Sequence, residues 1–326
     1  MPDKTSLDPA YLKPPEDAPA RASSREPILR AVIAELRPHQ WAKNGLVLLP
    51  MILAPGMPSS TTLVRGLVAA ASFSLCASGG YVFNDLLDIE ADRAHPTKRA
   101  RPFASGALPV ALGPVLLIGL LVASFWLAFW MLPLGFMVML ALYFVGTLSY
   151  SLFFKRQMLL DVLVLAGLYT HRILSGGVAT GVTVSAWLLG FSMFLFTSLA
   201  FVKRYVELRR TTGNEKIKNR GYVRSDLEIV TGMGTASGYI AALVFMLYVE
   251  SGAVRANYRA PTLLWLVLPI LLYWLGRIWL LAGRDQMQDD PVKFALKDSH
   301  SLACACAIAC IAALARVAPD WLIAIR

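Results

Sequence analysis

The residues best suited to chemistry form a short acidic run in the first third of the chain. Asn84, Asp85, Asp88 and Asp92 stand in the stretch NDLLDIEAD. Spacings of three and four residues place these side chains on one face of a helix. Oxygens gathered in this way repel one another unless a cation neutralises them, and carboxylates with an amide suit Mg²⁺. The pattern predicts a magnesium site, with the three Asp side chains as its catalytic centre.

A plainer interpretation treats the same run as a solvated helix face. The run follows an apolar segment, residues 69–83, and charge runs at a membrane boundary are often only solvated. A solvated face, however, has no need to align three Asp and an Asn directly at the end of an apolar segment. The metal-site interpretation is therefore favoured.

Basic residues follow the acidic run. Lys98, Arg99 and Arg101 lie in a loop rich in proline and glycine, before the next apolar segment begins near Leu108. Cations beside metal-binding carboxylates are typical of a diphosphate site, where Mg²⁺ bridges phosphate oxygens and Lys or Arg take the remaining charge. The alternative is that these cations only mark the cytoplasmic side of a membrane protein.

A second polar motif, RPHQWAKN at residues 37–44, precedes the first apolar segment. Lys43 and Asn44 stand where that segment begins, so a phosphate contact by Lys43 and a plain interfacial position are equally compatible with the sequence. Arg37 and Trp41 are typical of side chains that anchor at lipid headgroups. We expect Lys43 and Asn44 to contribute to substrate binding.

A third group, Lys203, Arg204 and Glu207, stands at the end of another apolar segment. The four-residue spacing puts Lys203 and Glu207 on one helix face. These residues form either a snorkelling cationic cluster with a helical ion pair, or a second anion site facing the first.

Ionisable residues also occur within an apolar segment. Asp161 begins this segment, and His171 and Arg172 lie deep in it. A charge at membrane depth is costly and indicates function by default, so Arg172 is a candidate site residue; the alternative is that it only orients a neighbouring carboxylate. Further on, Asp289 and Asp290 precede a proline, which is typical of a helix start.

Positioning these residues requires a membrane-spanning scaffold. The chain of 326 residues is 56% hydrophobic and 16% charged, whereas a soluble domain carries about 25% charged residues. Apolar runs of bilayer length predict about nine helices. The first span ends near Ala54, and the others cover residues 63–83, 110–130, 134–153, 159–178, 186–201, 237–249, 263–281 and 302–325.

The flanking and connecting segments predict the topology. Residues 1–27 are predicted to form a disordered cytoplasmic tail, and residues 28–36 a short amphipathic helix along the membrane. The net charge of +10 is concentrated in alternate short loops. This distribution favours membrane topology and anionic substrates over nucleic acid, and it places the N-terminus inside and the C-terminus outside.

The motifs resemble the UbiA superfamily of membrane prenyltransferases over nearly the whole chain after the tail. The run Asn84-Asp85-x-x-Asp88-x-x-x-Asp92 is similar to the family's first Asp-rich motif. The resemblance implies one transferase domain over residues 28–326, an all-helical bundle with a central cavity, a lateral opening to lipid and a cytoplasmic polar cap. It also implies that Mg²⁺ holds the diphosphate of an isoprenoid donor, in a bacterial inner membrane.

One departure from the family pattern suggests a particular branch. Where the family usually has a second Asp-rich motif, this chain reads KRYVEL at residues 203–208. That variant is similar to decaprenyl-phosphate phosphoribosyltransferases, as are RPHQWAKN, the run with Tyr150 and Lys155, and the R-x-x-x-G-G of residues 172–177. The branch implies phosphoribosyl pyrophosphate (PRPP) as donor and a polyprenyl phosphate as acceptor. Bacterial relatives fused to a HAD-like phosphatase domain imply a separate phosphatase partner for this chain.

Three functions follow as expectations. The first is Mg²⁺-dependent transfer of 5-phosphoribose from PRPP to a polyprenyl phosphate, in which Lys203 and Arg204 supply cations for a further phosphate. The second is prenyl transfer from a polyprenyl diphosphate to an aromatic or other polar acceptor, with Glu207 replacing part of the missing motif. The third is a transporter or scaffold that binds an anionic lipid without chemistry, although carboxylates would repel phosphate in the absence of a metal.

Overall fold

The computed structural model describes residues 28–211, 220–287 and 290–318, and in these ranges the chain forms helices and loops without a strand. Within these ranges, eight helices are long and apolar enough to cross a membrane. The chain is therefore an all-α integral membrane protein, as the sequence predicts. The predicted tail, residues 1–27, lies outside the described residues.

The helices follow one another along the chain with short connections. They are α1 (Ile28–Leu36), α2 (Leu49–Leu53), α3 (Ser60–Leu87), α4 (Ile89–Arg93), α5 (Pro102–Ser105), α6 (Leu112–Met131), α7 (Leu134–Leu152), α8 (Leu160–Thr180), α9 (Ala186–Arg209), α10 (Leu227–Glu250), α11 (Gly252–Asn257), α12 (Val267–Gly283), α13 (Pro291–Ala295) and α14 (Ser299–Val317). Segments of 3₁₀ helix are η1 (Pro38–Leu48), η2 (Lys98–Ala100), η3 (Phe154–Arg156), η4 (Arg224–Asp226) and η5 (Pro261–Leu266).

The first predicted span differs from the others in its geometry. It consists of η1 followed directly by the five-residue α2. A 3₁₀ helix rises about 2.0 Å per residue and an α-helix about 1.5 Å, so the two segments together reach roughly 30 Å, close to the thickness of the hydrocarbon core. This segment lies where the first span was predicted, but it is not among the eight long apolar helices of the described residues, one fewer than the predicted nine.

The weakest predicted span was placed too short. Hydropathy limited it to residues 237–249, whereas α10 begins ten residues earlier. The small and hydroxyl-bearing residues of the sequence TGMGTASG lower the local hydropathy but allow close packing. A Cβ atom on Gly234 would lie 2.3 Å from Trp279 and 2.7 Å from Phe201, so α10 is seated directly against α9 and α12.

Several helix starts are fixed by side-chain caps. The hydroxyls of Ser59 and Ser185 accept hydrogen bonds from backbone N–H groups in the first turns of α3 and α9. Asp290 and Asp298 do the same for α13 and α14. The predicted helix start at Asp290 is therefore confirmed, while Asp289 lies outside the described residues.

Alternate connections meet at one end of the bundle, named here the polar end. Lys155, between α7 and α8, contacts Asp88 after α3. Arg220, between α9 and α10, donates to the backbone carbonyl of Lys155. Lys43 of η1 pairs with Asp290 between α12 and α14. The predicted site residues are thus gathered from the whole length of the chain.

Candidate active site

The acidic run occupies the junction of α3 and α4. Asp85 and Asp92 are buried, and one guanidinium nitrogen of Arg101 lies 3.1 Å from the first carboxylate and 2.6 Å from the second. Arg37 pairs with the other oxygen of Asp85. These two carboxylates therefore share a site that attracts positive charge.

Asp88 does not lie with the other two carboxylates. Helix α3 ends at Leu87, and Asp88 has φ −102° and ψ 13°, which separates α3 from α4. The side chain of Asp88 is 40% exposed and lies 3.6 Å from the ammonium group of Lys155. The single helical stripe predicted from the spacing is thus divided into a buried pair and a solvent-facing residue, with the half-buried Asn84 between them.

Only part of the basic loop joins the carboxylates. Arg101 is half-buried between Asp85 and Asp92, whereas Lys98 and Arg99 are exposed on η2. The expected headgroup anchor Arg37 instead ion-pairs with Asp85 and lies 5.2 Å from the ring of Tyr81. A left-handed backbone, φ 51°, turns Arg37 away from α1 towards this site.

Sequence reasoning missed Glu35, which lies beside this site on α1. It is fully buried, and burial and the charge of Asp85 raise its pKa to about 8, although Arg37 and Arg101 oppose that shift. The sequence feature that could have identified Glu35 is its position in the amphipathic helix: it lies four residues after Ala31, and both residues are on the buried face of α1. We name Glu35, Arg37, Asp85, Asp88, Asp92, Arg101 and Lys155 the acidic cluster.

The third predicted group forms a second arrangement around a fully buried guanidinium. Arg204 has no exposed side-chain surface; its Nε lies 2.6 Å from Asp161, and it also pairs with Glu207. The Tyr150 hydroxyl lies 3.2 Å from the same guanidinium. The four-residue spacing suggested that Glu207 pairs with Lys203. In the structure Glu207 pairs with Arg204 instead.

Residues 220–222, which sequence reasoning did not single out, complete this arrangement. Arg220 approaches Glu207 at 3.7 Å and donates to the Tyr150 hydroxyl at 3.3 Å. The Tyr222 hydroxyl donates to Asp161 at 2.8 Å and accepts from the backbone N–H of Leu159. The backbone of Leu159 has a φ of 67°, which is unusual for a residue other than glycine. We name Tyr150, Asp161, Arg204, Glu207, Arg220 and Tyr222 the ion-pair cluster.

Two lysines lie around a single carboxylate between the clusters. Lys43 ion-pairs with Asp290, and Lys203 lines one cavity with Asp290 and Tyr169. Burial alone would raise the pKa of Asp290, but the ammonium groups of Lys43 and Lys203 hold it below its usual range.

Arg172 is buried in the same region, and the partners described for it are neutral. Its guanidinium donates to the Asn44 side-chain oxygen at 3.1 Å and to the Tyr143 hydroxyl at 2.8 Å. It also lies 5.1 Å from the ring of Tyr169. The expectation that it orients a carboxylate is therefore not met among these contacts. His171 stacks on Tyr143 and contacts the carbonyl of Met139, as a core histidine does. We name Lys43, Arg172 and Lys203 the cation group.

The donor set suits a divalent cation that is completed by a ligand. In the described parts of the chain, no three Asp, Glu, His or Cys side chains form a ready-made metal cage. Mg²⁺ usually binds one or two carboxylates together with substrate phosphates and water rather than such a cage. Asp85 and Asp92 already hold a cationic nitrogen between them, and Glu35 adds a buried carboxylate. The residues present therefore fit Mg²⁺.

The described residues thus form an integral membrane protein with eight long apolar helices and a polar end rich in paired charges. The model of the UbiA prenyltransferase family matches residues 45–302. The chain belongs to this family, and it is a UbiA-family transferase. This assignment sets aside the transporter or scaffold alternative.

Curated relatives cover most of the chain. The chain is 38% identical over 272 residues to protein y4nM of Sinorhizobium fredii, covering 82% of this chain but 52% of the relative, so it spans about half of that relative's length. It is 34% identical to nodulation protein NoeC of Azorhizobium caulinodans, with 82% and 87% covered. It is 31% identical to decaprenyl-phosphate phosphoribosyltransferase of Mycolicibacterium smegmatis, with 87% and 91% covered.

Solved structures support the same fold. A UbiA homolog from Archaeoglobus fulgidus bound to GPP and Mg²⁺ superimposes with a TM-score of 0.63 at 15% identity, covering 90% of this chain and all of the other. At this identity the likeness establishes the helical architecture, and the chemistry of the present chain must be argued from its own residues.

Proposed function

We propose that the protein transfers 5-phosphoribose from PRPP to a polyprenyl phosphate at the cytoplasmic face of a bacterial inner membrane. The observation that carries this proposal is the charge of the cation group. Lys43 and Lys203 lie around one carboxylate, Asp290, and the buried Arg172 lies close by, in contact with Asn44 and with the ring of Tyr169 that lines the same cavity. Buried cations in excess of their counter-ions favour an anionic ligand, and a phosphate on donor or acceptor meets this need.

The acidic cluster is suited to the leaving group of this reaction. Asp85, Asp88 and Asp92, with Asn84 beside them, are the residues that would hold Mg²⁺. When bound, Mg²⁺ neutralises the charge that develops on a departing diphosphate. Arg101 and Lys155 are half-buried beside the carboxylates and would bind remaining phosphate oxygens. Lys98 and Arg99, at the exposed surface, would contribute by long-range attraction.

The bond changes need little acid–base help from the protein. The anomeric carbon–oxygen bond of PRPP breaks with its electron pair on the diphosphate, and an acceptor phosphate oxygen forms the new bond to that carbon. A phosphate monoester is already an anionic nucleophile, so no general base is required. The cation group would hold this anion, and the tyrosine rings beside Arg172 would exclude water from it.

Arg204 has a different role from the one its sequence position suggested. Its guanidinium is fully buried and engaged by Asp161, Glu207 and Tyr150. We therefore assign the second phosphate to Lys203 and Arg172, and we treat Arg204 as a residue that positions the end of α9.

Prenyl transfer is the second candidate, and the charge pairing weakens it. A second metal site would need Glu207 and a carboxylate from residues 289–298. Glu207 is engaged by Arg204 and Arg220, and Asp290 by Lys43. The relatives named decaprenyl-phosphate phosphoribosyltransferase favour the first candidate, while NoeC and y4nM leave the lipid and the pathway open. A separate phosphatase would act afterwards on the 5-phosphate of the product.

A donor screen tests the proposal. Membranes containing the protein receive labelled PRPP or labelled polyprenyl diphosphates, each with a polyprenyl phosphate or an aromatic acceptor, with Mg²⁺ present or chelated. A lipid-linked ribose phosphate that requires Mg²⁺ and is lost in Asp88→Asn is expected. Consumption of polyprenyl diphosphate without a ribosyl product would favour prenyl transfer, and equal ribosyl product from Asp88→Asn would contradict the assigned metal site.

A further inference from the structure

Glu35 is a fully buried carboxylate with unmet hydrogen-bonding capacity. Its exposure is 0%, and among the described residues no donor reaches either carboxylate oxygen. The groups that act on it electrostatically are Asp85, Arg37 and Arg101. An ionised carboxylate only accepts hydrogen bonds, so Asp85 cannot satisfy it while both groups are charged.

The buried part of the acidic cluster contains more carboxyl groups than guanidinium groups. It contains three carboxylates, Glu35, Asp85 and Asp92, against two guanidinium groups. Arg101 is shared by Asp85 and Asp92, and Arg37 is used by Asp85. Glu35 is left without a cationic hydrogen-bond partner, so in the absence of a further cation its buried position favours the protonated form, and a bound cation would favour the charged form.

We infer that Glu35 is a ligand of the divalent cation, acting with Asp85 from outside the Asp-rich run. The inference rests on the proposed binding of Mg²⁺ or a similar hard cation, and it deepens that proposal by naming a ligand contributed by α1. Two adjacent carboxylates completed by water and phosphate oxygens match the way in which proteins commonly hold Mg²⁺.

The position of Glu35 gives this role a structural consequence. Helix α1 turns Ile28, Leu29 and Ile33 outward, exposed by 58%, 69% and 49%, while Ala31 and Glu35 face α3 and α5. A cation between Glu35 and Asp85 would therefore fasten the membrane-surface helix to α3. Binding of the metal would stabilise the N-terminal part of the described chain as well as the acidic cluster.

Direct metal binding tests the inference without any donor substrate. Mn²⁺ is titrated into the purified full chain in detergent, and free Mn²⁺ is followed by electron paramagnetic resonance. Glu35→Gln is expected to weaken Mn²⁺ affinity by about tenfold or more, as Asp85→Asn does, and Glu35→Asp to retain part of it. The matched control is Glu90→Gln, which removes an exposed carboxylate of the neighbouring α4 and should leave the affinity within about twofold.

Thermal unfolding separates a metal ligand from a merely structural carboxylate. Without metal, Glu35→Gln should unfold at the same or a higher temperature than wild type, because a neutral amide of similar size replaces a buried carboxyl group whose oxygens have no hydrogen-bond partner. With saturating Mn²⁺, wild type should gain stability and Glu35→Gln should gain clearly less. Wild-type Mn²⁺ affinity in Glu35→Gln, or no Mn²⁺ binding by the wild-type chain, would overturn the inference. Failure of PRPP transfer alone would not affect it, since no donor is present.

Discussion

The two charged clusters at the polar end balance their charges in different ways. The ion-pair cluster sets Asp161 and Glu207 against Arg204 and Arg220, and Arg204 and Asp161 have no exposed side-chain surface. The acidic cluster sets four carboxylates against three cations, and one of its members, Asp88, faces solvent. A balanced, closed cluster is suited to holding helices in place, whereas an unbalanced, partly open one is suited to binding a cation.

Breaking the ion-pair cluster should give the largest effect on stability. Arg204→Met leaves the fully buried Asp161, and the partly exposed Glu207, without their main partner, and we expect a loss of about 3–5 kcal/mol in unfolding free energy. Thermal or denaturant unfolding in detergent measures this. The control is Arg209→Met on the same helix, whose pair with Asp285 is exposed to solvent and should contribute little to stability. Equal destabilisation by both variants would contradict the distinction between a structural and a surface pair.

Removing the solvent-facing carboxylate should affect turnover far more than stability. Asp88→Asn disrupts a half-exposed pair with Lys155, so we expect a stability change below about 1 kcal/mol. We expect transferase turnover to fall by about 10²–10³-fold, the usual cost of losing one group that stabilises developing charge. Initial rates with PRPP and polyprenyl phosphate, beside unfolding midpoints, measure the two effects. A large loss of stability with unchanged turnover would reverse the roles assigned to the clusters.

A glycine at the contact between α8 and η1 should give an intermediate effect. A Cβ on Gly176 would lie 1.9 Å from the carbonyl oxygen of Val47, so Gly176→Ala must displace η1 from α8. We expect a destabilisation of about 1–3 kcal/mol, as for other overpacked sites. Gly167→Ala on the same helix is the control, because its Cβ meets nothing within 4 Å. Unfolding midpoints of the two variants should differ; equal midpoints would show that η1 is not seated on this glycine.

The smallest expected effect lies at the start of α14. Two guanidinium hydrogen bonds from Arg277, followed by contacts from Ser301, lower the pKa of Asp298 from 3.8 to about 2. A lowered folded-state pKa contributes stability above pH 3.8, and this contribution is lost as the pH falls towards 2. Asp298→Ala should cost about 1 kcal/mol at neutral pH through the lost helix cap.

The pH dependence itself is checked with Asp298→Asn. This variant keeps a capping oxygen but cannot titrate, so its unfolding midpoint should fall less than that of wild type between pH 4 and pH 2, the interval set by the folded and unfolded pKa values of Asp298. Parallel pH profiles for the two proteins would show that the Arg277 bonds do not stabilise the charged form.

The sequence predicted local patterns well and long-range partners poorly. The Asp-rich run and the basic residues after it were recognised because each group lies within a short stretch of the sequence. The pairing of Arg204 with Asp161, 43 positions earlier, depends on how α8 and α9 pack, and spacing along one helix suggested Lys203 and Glu207 instead. Glu35 and Arg37 reach Asp85 only because α1 ends in a left-handed turn.

The boundaries of the membrane spans show the same contrast between features that local sequence predicts and features that depend on packing. Strongly apolar helices such as α6 and α7 were placed within two residues of their observed ends. Helix α10 was not, since its Gly, Ser and Thr residues gain stability from close packing rather than from hydropathy. The 3₁₀ geometry of η1 was equally inaccessible, because it follows from the fit of that segment against α8.

The three-residue repeat of η1 also determines how the protein tolerates changes in length. Asn44, Val47 and Pro50 are buried at intervals of three. Each residue of a 3₁₀ helix turns the chain by about 120°, so a single inserted or deleted residue would carry Asn44 from its contact with Arg172 to another face. A three-residue insertion would restore the facing and shift the segment by about 6 Å. Length variation among relatives should therefore avoid this segment, or occur in it only in triplets.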